Sequence, residues 1–233
     1  MIRALIETSL IDWDGKLSTV LFFDKCNFMC PFCQNWDLIK NPEKFPAIQW
    51  PEIEALLVSK DKWIDGVVLT GGEPLMYEPE VSAIARRIKE LGFAVKIDTN
   101  GAYPDTLSAL TTLKLVDYVA MDLKAPLDER YSVAAGRKVD TERIKRSIDI
   151  LIEGNIDYEF RTTCVPGIIK ENTIADMGVA IKNAKRWVLQ QYVPENAYLE
   201  EYRNLEQLTE SESNKLLVIA AKYVQNVRWR GRA

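Results

Sequence analysis

The chain has 233 residues, 47% hydrophobic and 27% charged, a composition that predicts a globular protein with a sizeable core and argues against disorder. Its net charge of −4 disfavours a broad phosphate-binding surface, so no nucleic-acid partner is expected. Histidine is absent, which excludes Ser-His-Asp and Cys-His hydrolases and imidazole zinc sites, and indicates that a cofactor carries the chemistry of any enzymatic reaction.

The amino-terminal segment and the apolar runs predict no targeting or membrane element. Residues 1–15 contain four charged side chains and therefore lack the uninterrupted apolar stretch of a signal peptide. No apolar run approaches the roughly 18 to 20 residues that span a bilayer. We therefore expect a cytoplasmic protein without a membrane partner.

Short apolar runs alternate along the chain with segments of helical period. Residues 1–17, with a turn at Asp14-Gly15, predict an N-terminal β-hairpin. Six runs are predicted to be strands, at residues 18–24, 65–70, 94–99, 118–123, 158–165 and 187–192. Because strands that alternate with helices pair in parallel, the fold class is α/β, an incomplete (β/α)6 parallel barrel with an N-terminal β-hairpin extension.

Helix and domain boundaries follow from the same patterns. One helical face carries Val81, Ile84, Ala85, Ile88 and Leu91, and another carries Ile144, Ile148 and Leu151. Thr209 and Glu212 make a capping box before the last helix. The tail with Arg228, Arg230 and Arg232 is interpreted as a closing strand with a solvated end, rather than as a docking patch. We expect one domain over residues 1–233, with a barrel core at 18–195 and a closing region at 196–233.

The unusual residues follow the predicted strands. Ligands of parallel α/β folds gather beyond the carboxyl ends of the strands. The cysteine loop follows the first strand, GGEP (71–74) the second, DTNG (98–101) ends the third, and MDLK (121–124) ends the fourth. These segments are therefore expected to converge on one site.

The cysteine loop allows four interpretations. Cys26, Cys30 and Cys33 lie within eight positions, and the fourth cysteine is the distant Cys164. A disulfide is disfavoured by the odd number of cysteines in the loop and by a reducing compartment. A structural zinc site would have to recruit Cys164, but the strand-like context of Cys164 favours a buried structural thiol. Three unrelated core cysteines are a poor fit to a loop rich in Asn and Pro. An iron-sulfur cluster held by three thiolates leaves one iron open.

The spacing C-x3-C-x2-C resembles the signature of the radical S-adenosylmethionine superfamily. The resemblance implies that Cys26, Cys30 and Cys33 hold a 4Fe-4S cluster, and that the amino and carboxylate groups of S-adenosylmethionine chelate the remaining iron. One electron would then break the sulfur-carbon bond and give a 5′-deoxyadenosyl radical.

The turn Gly71-Gly72-Glu73-Pro74 supports this resemblance. Glycines without a Cβ let the backbone approach a ligand closely, and the glutamate offers acceptors to an ammonium group. A simple strand-to-helix turn is the alternative. After an upstream cysteine triplet, the turn resembles the motif that binds the methionine amino group in this superfamily.

Two acidic strand ends extend the expected site. Asp98 and Thr99 end one strand, and Asp122 with Lys124 ends the next. An Asp-Lys salt bridge is one interpretation, because a buried carboxylate needs a partner. The pattern also resembles glycyl-radical-enzyme activases, which implies that Asp98, Thr99 and Asp122 surround a monovalent cation and that Lys124 contacts S-adenosylmethionine.

Arg161 and Phe32 complete the expected contacts. Arg161 lies in a predicted strand of alternating pattern and shares a face with Thr163. An arginine that points into a barrel needs an anion as partner. Exposure on the other face is the alternative. By resemblance, Arg161 binds S-adenosylmethionine, and Phe32 matches a position whose backbone contacts the adenine, although its ring could simply pack.

The resemblance covers residues 18–195 and is greatest to the activating protein of anaerobic ribonucleoside-triphosphate reductase. It implies a glycyl radical enzyme as partner and a flavodoxin- or ferredoxin-type electron donor. The alternatives are an activase of the pyruvate formate-lyase type and an enzyme acting on a small heterocycle, of the 7-carboxy-7-deazaguanine synthase type. Related activases commonly have Gly before the first cysteine and His-Asn after the third, whereas this chain has Asp-Lys at 24–25 and Gln-Asn at 34–35. Pyruvate formate-lyase activases also have a cofactor-contacting histidine near the last strands, where this chain has Gln-Tyr at 191–192.

Overall fold

Over residues 1–231, which the computed structural model describes, eight strands form one sheet. The strands are β1 (Ile2–Ser9), β2 (Ser18–Phe23), β3 (Gly66–Gly71), β4 (Ala94–Thr99), β5 (Tyr118–Asp122), β6 (Asp157–Cys164), β7 (Trp187–Gln191) and β8 (Val227–Arg230). The α-helices are α1 (Trp36–Lys40), α2 (Trp50–Ser59), α3 (Glu80–Glu90), α4 (Pro104–Thr112), α5 (Glu129–Ala135), α6 (Thr141–Glu153), α7 (Glu171–Ala180), α8 (Glu200–Arg203) and α9 (Glu210–Ala220). Short 3₁₀ helices cover Pro42–Lys44 and Pro74–Tyr77.

The sheet keeps the order of the chain from β1 to β8 and is open, with these two strands at its ends. β1 pairs antiparallel with β2, while β2 with β3, β3 with β4, β6 with β7, and β7 with β8 pair in parallel. The predicted α/β fold, an incomplete parallel barrel preceded by a hairpin, is therefore confirmed. The tail forms the predicted closing strand as β8, and Arg232 lies outside the described residues.

Local sequence signals account for these elements. Gly15 has a φ of +76° in the turn between β1 and β2, where Lys16 N donates to Trp13 O over 3.0 Å. The capping box of α9 forms as predicted, since Thr209 N donates to Glu212 Oε2 over 2.8 Å and Glu212 N donates to Thr209 Oγ1 over 3.3 Å. Of the helical faces predicted from periodicity, α6 buries Ile144, Ile148 and Leu151, and α3 buries Val81, Ala85 and Ile88. Ile84 is half-buried, and Leu91 lies just after α3 and is also half-buried.

Contacts divide the chain into two compact units. The first unit contains Met1–Asn27, Asp37–Thr99 and Asp105–Val119, and the second contains Phe28–Trp36, Asn100–Pro104 and the chain from Ala120 onwards. Buried strand residues form the core of each unit, as with the run 67–69 in the first and 187–189 in the second. No helix within the described part of the chain has the length and apolar character needed to cross a membrane.

Candidate functional site

In the first unit, the end of β2 is anchored just before Cys26. Asp24 is buried and accepts hydrogen bonds from Arg3 Nε over 2.5 Å and from the Tyr77 hydroxyl. Burial alone would raise the pKa of this carboxyl, but the hydrogen bonds from Tyr77 and Arg3 outweigh it and lower the pKa to about 2. Asp24 therefore fixes the strand end that leads into the cysteine loop.

The two glycines of the GGEP turn let β3 pack against that same backbone. Gly72 N donates to Phe23 O over 2.8 Å, and Glu73 N donates to Lys25 O over 2.7 Å. A Cβ added at Gly72 would overlap the carbonyl oxygen of Lys25, and Gly71 has a φ of +105°. Glycine is therefore required here for contact between two protein backbones, one of which runs directly into Cys26.

Glu73 is an internal brace in the first unit. Its side chain is 0% exposed, and Oε1 accepts from Leu75 N over 3.1 Å and from Thr99 Oγ1 over 2.8 Å. The first contact caps the 3₁₀ helix that begins at Pro74, and the second ties the GGEP turn to the end of β4. The structure thus brings Glu73 and Thr99 together, while a contact from Glu73 to a cofactor ammonium group stays a prediction.

Replacing Thr99 with valine is expected to destabilise this brace, because the valine cannot donate to the buried Glu73 carboxylate. Leaving a buried acceptor without one of its donors costs about 1 to 3 kcal/mol. The free energy of unfolding, from denaturant titration, measures the loss. Thr111→Val is the matched control, since the Thr111 hydroxyl only donates to carbonyls of its own helix. Equal stabilities of the two variants would contradict the role of Thr99.

Asp98 has a cationic neighbour, Lys96, that no sequence motif indicates. Lys96 Nζ lies 2.8 Å from Asp98 Oδ1, and the Thr70 hydroxyl donates to Asp98 Oδ2 over 3.3 Å. Lys96 is only 1% exposed, and its Nζ donates to the carbonyl oxygen of Asp12. A charged residue two positions before Asp98 in the apolar run of β4 was the available sequence signal, because alternate strand residues share a face.

In the second unit, the rest of the cysteine loop is held from two sides. Met29 N donates to Ala135 O over 2.8 Å, where α5 ends. On the other side Leu199 N donates to Pro31 O over 2.9 Å, and Asn196 Nδ2 donates to Gln34 O over 2.8 Å. The segment 193–204 therefore braces the loop, which no sequence motif had indicated.

The ring of Phe32 packs rather than facing solvent. It is buried, and its centroid lies 6.5 Å from that of Tyr202 in the segment 193–204. Trp36 pairs in the same way with Tyr198, at 5.8 Å. These aromatic contacts add apolar burial to the hydrogen bonds that hold the loop. The expected backbone contact from Phe32 to an adenine stays a prediction.

Replacing Gly136 with alanine is expected to displace the segment between Cys26 and Cys30. Gly136 ends α5 with a φ of +65°, and a Cβ there would overlap the carbonyl oxygen of Met29. Gly15→Ala is the control, because Gly15 has a similar φ but no atom within 4 Å of the added Cβ. Iron content after anaerobic reconstitution should fall in Gly136→Ala and remain normal in Gly15→Ala. Normal iron content in both would contradict the role of this contact.

The thiols match an iron-sulfur cluster in their chemistry. None of the four cysteines, all within the described residues, is in a disulfide. Cys33 N donates to Cys30 O over 3.0 Å, so these two cysteines share a turn. Burial raises the pKa of the Cys30 thiol to about 11, while the Lys124 ammonium acts in the opposite direction. Thiolate sulfur is the normal ligand of such clusters, so the donor set fits.

The metal assignment rests on residue type and spacing. Among residues 1–231, no group of three or more Cys, Asp or Glu side chains is arranged to hold a metal ion. Cys164, which a zinc site would have needed, is buried in β6, where burial raises the pKa of its thiol to about 12. This environment agrees with the predicted structural role of Cys164.

Asp122 lies between two cations in the second unit. Arg161 Nε is 2.9 Å from Asp122 Oδ1, and Lys124 Nζ is 3.3 Å from Asp122 Oδ2. The Asp-Lys salt bridge that the sequence left as an alternative is therefore formed, and Arg161 has the carboxylate partner that an inward arginine requires. The structure brings these three residues together, and their contacts with S-adenosylmethionine stay predictions.

Comparison with known proteins identifies relatives of the chain. A family model described as the radical SAM superfamily matches residues 20–177. A Methanocaldococcus jannaschii protein named as a glycyl-radical enzyme activating enzyme is 35% identical, over 97% of this chain and 94% of its own length. A 7-carboxy-7-deazaguanine synthase of Clostridium acetobutylicum is 26% identical over 70% of this chain and 79% of its own. In fold, the chain resembles a domain of pyruvate-formate lyase-activating enzyme from Bacteroides vulgatus, with a TM-score of 0.58 and 18% sequence identity. The match covers 71% of this chain and 99% of the Bacteroides vulgatus chain.

Proposed function

Because this chain belongs to the radical S-adenosylmethionine superfamily, we propose that it is an activating enzyme that generates a glycyl radical on a partner protein. The observation that carries the proposal is 35% identity, over almost the whole of both chains, to a protein named as such an activating enzyme. We further propose anaerobic ribonucleoside-triphosphate reductase as the partner, a flavodoxin- or ferredoxin-type protein as electron donor, and the cytoplasm as the setting.

The cysteines and the GGEP turn have proposed parts in the first step of the reaction. Cys26, Cys30 and Cys33 would hold the 4Fe-4S cluster. When bound, the cluster would supply one electron to S-adenosylmethionine, whose sulfur-carbon bond breaks to give methionine and the 5′-deoxyadenosyl radical that takes a hydrogen atom from the partner's glycine. The backbone of Gly71 and Gly72 positions the loop before Cys26, and Glu73 with Pro74 and Thr99 keeps that turn rigid.

The second unit supplies the proposed anion-binding groups. Arg161 donates from Nε to Asp122, and we propose that its guanidinium also binds the carboxylate of S-adenosylmethionine. Lys124 would add a second positive charge, and the backbone beside Phe32 would contact the adenine. Asp122 orients both cations, so we expect its loss to weaken cofactor binding through Arg161 and Lys124.

The test combines the reduced, reconstituted protein with S-adenosylmethionine and the candidate reductase under anaerobic conditions. A carbon-centred doublet in the electron paramagnetic resonance spectrum, located on the reductase, is the expected result. The same reductase with its radical-bearing glycine changed to alanine should give no doublet. Cleavage of S-adenosylmethionine without any signal on the reductase would exclude it as the partner.

A second candidate function is the conversion of a small heterocycle, favoured by the 26% identity to a 7-carboxy-7-deazaguanine synthase. It would require 5′-deoxyadenosine formation that depends on the heterocyclic substrate and not on a protein. Incubating the reduced enzyme with the reductase or with a deazaguanine precursor separates the two functions.

A further inference from the structure

We propose that the Lys96 ammonium is a built-in cation that neutralises Asp98, so that this chain binds S-adenosylmethionine without an exchangeable monovalent cation. The inference deepens the proposed function and rests on it. Lys96 is thereby assigned as a positioning residue that acts through Asp98. The cysteine and glycine motifs do not assign a role to this lysine.

The burial of Lys96 is the first observation. Its side chain is 1% exposed although it lies in the middle of β4, where Val95 and Ile97 on either side are fully buried. An ammonium group is removed from water at a large cost unless a carboxylate and hydrogen-bond acceptors replace the water. A buried lysine at this position is therefore stable only together with its partners.

The partners of Lys96 are all in the first unit. Nζ forms an ion pair with Asp98 Oδ1 at 2.8 Å and donates a hydrogen bond to the carbonyl oxygen of Asp12, in the connection between β1 and β2. A carboxylate oxygen and a backbone carbonyl oxygen are the ligands that a bound alkali cation would use. The Lys96 ammonium therefore takes the place beside Asp98 that a bound monovalent cation would otherwise take.

Thr70 fixes the other oxygen of the same carboxylate. Its hydroxyl lies 3.3 Å from Asp98 Oδ2, and β3 and β4 are paired in parallel next to it, with Val68 opposite Lys96. Asp98 is thus held in place from two strands while its charge is balanced by Lys96. An added monovalent cation at Oδ1 would bring two positive charges together in a buried environment, which is unfavourable.

The second acidic residue expected around a cation is balanced independently. In the second unit, Asp122 contacts Arg161 at 2.9 Å and Lys124 at 3.3 Å. Each of the two carboxylates that the resemblance assigns to a cation site therefore has protein cations beside it. Both observations favour binding of S-adenosylmethionine that does not depend on added K⁺ or Na⁺.

The test measures the affinity of the anaerobically reconstituted protein for S-adenosylmethionine by calorimetry, in KCl, NaCl or tetramethylammonium chloride at one ionic strength. The wild-type affinity should be the same in all three salts. In Lys96→Ala, affinity in tetramethylammonium should fall by about 5- to 150-fold, the usual range for coupled sites, and K⁺ should restore it by entering beside Asp98. Lys89→Met, which removes a surface lysine paired with Asp117, should behave as the wild type.

A second variant guards against a folding defect in Lys96→Ala, which leaves a buried carboxylate without its cation. Lys96→Met combined with Asp98→Asn replaces the ion pair by neutral side chains of similar size, and its affinity should not respond to K⁺. A K⁺ response in the wild type or in this double variant, or Lys96→Ala with wild-type affinity in tetramethylammonium, would overturn the proposal. A wild-type protein that fails to bind S-adenosylmethionine in any salt would instead contradict the proposed function.

Discussion

Cys30→Ala is expected to abolish both iron retention and S-adenosylmethionine cleavage. A 4Fe-4S cluster usually has four thiolate ligands. The loop offers three, so the variant would have only two. Cys30 also lies at the centre of the braced part of the loop, between the backbone contacts of Met29 and Pro31. Iron analysis and the visible absorption of the anaerobically reconstituted variant measure the first loss, and 5′-deoxyadenosine formation measures the second.

Cys164→Ala is the matched control for this variant. Cys164 is also buried, but it lies within β6, where its thiol contacts the carbonyl oxygen of Thr162 at 3.7 Å. We expect a loss of stability of about 1 kcal/mol from the missing buried atom, with iron content and cleavage unchanged. Retained iron and activity in Cys30→Ala, or their loss in Cys164→Ala, would contradict the assignment of the ligands.

Gly72→Ala is expected to have the second largest effect. The added methyl group would overlap the carbonyl oxygen of Lys25, a backbone atom that cannot rotate away. The hydrogen bonds from Gly72 N to Phe23 O and from Glu73 N to Lys25 O must then be distorted. Overpacking of this kind costs about 1 to 3 kcal/mol and occasionally more, and it moves the residue next to Cys26. We expect a lower free energy of unfolding together with loss of most of the reconstituted iron.

Gly92→Ala separates the two consequences of that substitution. Gly92 has a φ of +89°, and no atom lies within 4 Å of an added Cβ, so alanine there is strained without contacting the site. The strain costs about 1 to 2 kcal/mol. Gly92→Ala should therefore lose stability but keep its iron. If Gly72→Ala also kept its iron, the contact between the GGEP turn and Lys25 would have no role in holding the cysteine loop.

The sequence predicted the strand framework closely because short buried strands separated by amphipathic helices leave a clear periodic signal. The run 94–99 was predicted as a strand and forms β4 with the same limits. Thr209 and Glu212 were predicted to cap the last helix, and they do, because a capping box depends only on residues three apart. Such local interactions can be derived without knowing the tertiary structure.

Contacts between distant parts of the chain could not be derived in this way. For Gly72 the sequence indicated approach to a ligand, which stays a prediction, but not the contact with Lys25, just after β2, that the structure shows. The brace from Asn196 to Gln34 joins residues 162 positions apart and follows no motif. The role of Lys96 could not be derived because a single lysine in an apolar run does not show which residues its side chain contacts. Its partner Asp98, two residues later, gave the only local indication of its burial.

The most direct test of the account is the amount of 5′-deoxyadenosine formed when the anaerobically reconstituted, reduced protein is given S-adenosylmethionine. We expect a protein that contains iron and forms 5′-deoxyadenosine and methionine in equal amounts, with neither product from Cys30→Ala. An iron-free wild-type protein, or an iron-loaded one that leaves S-adenosylmethionine intact under reduction, would contradict it.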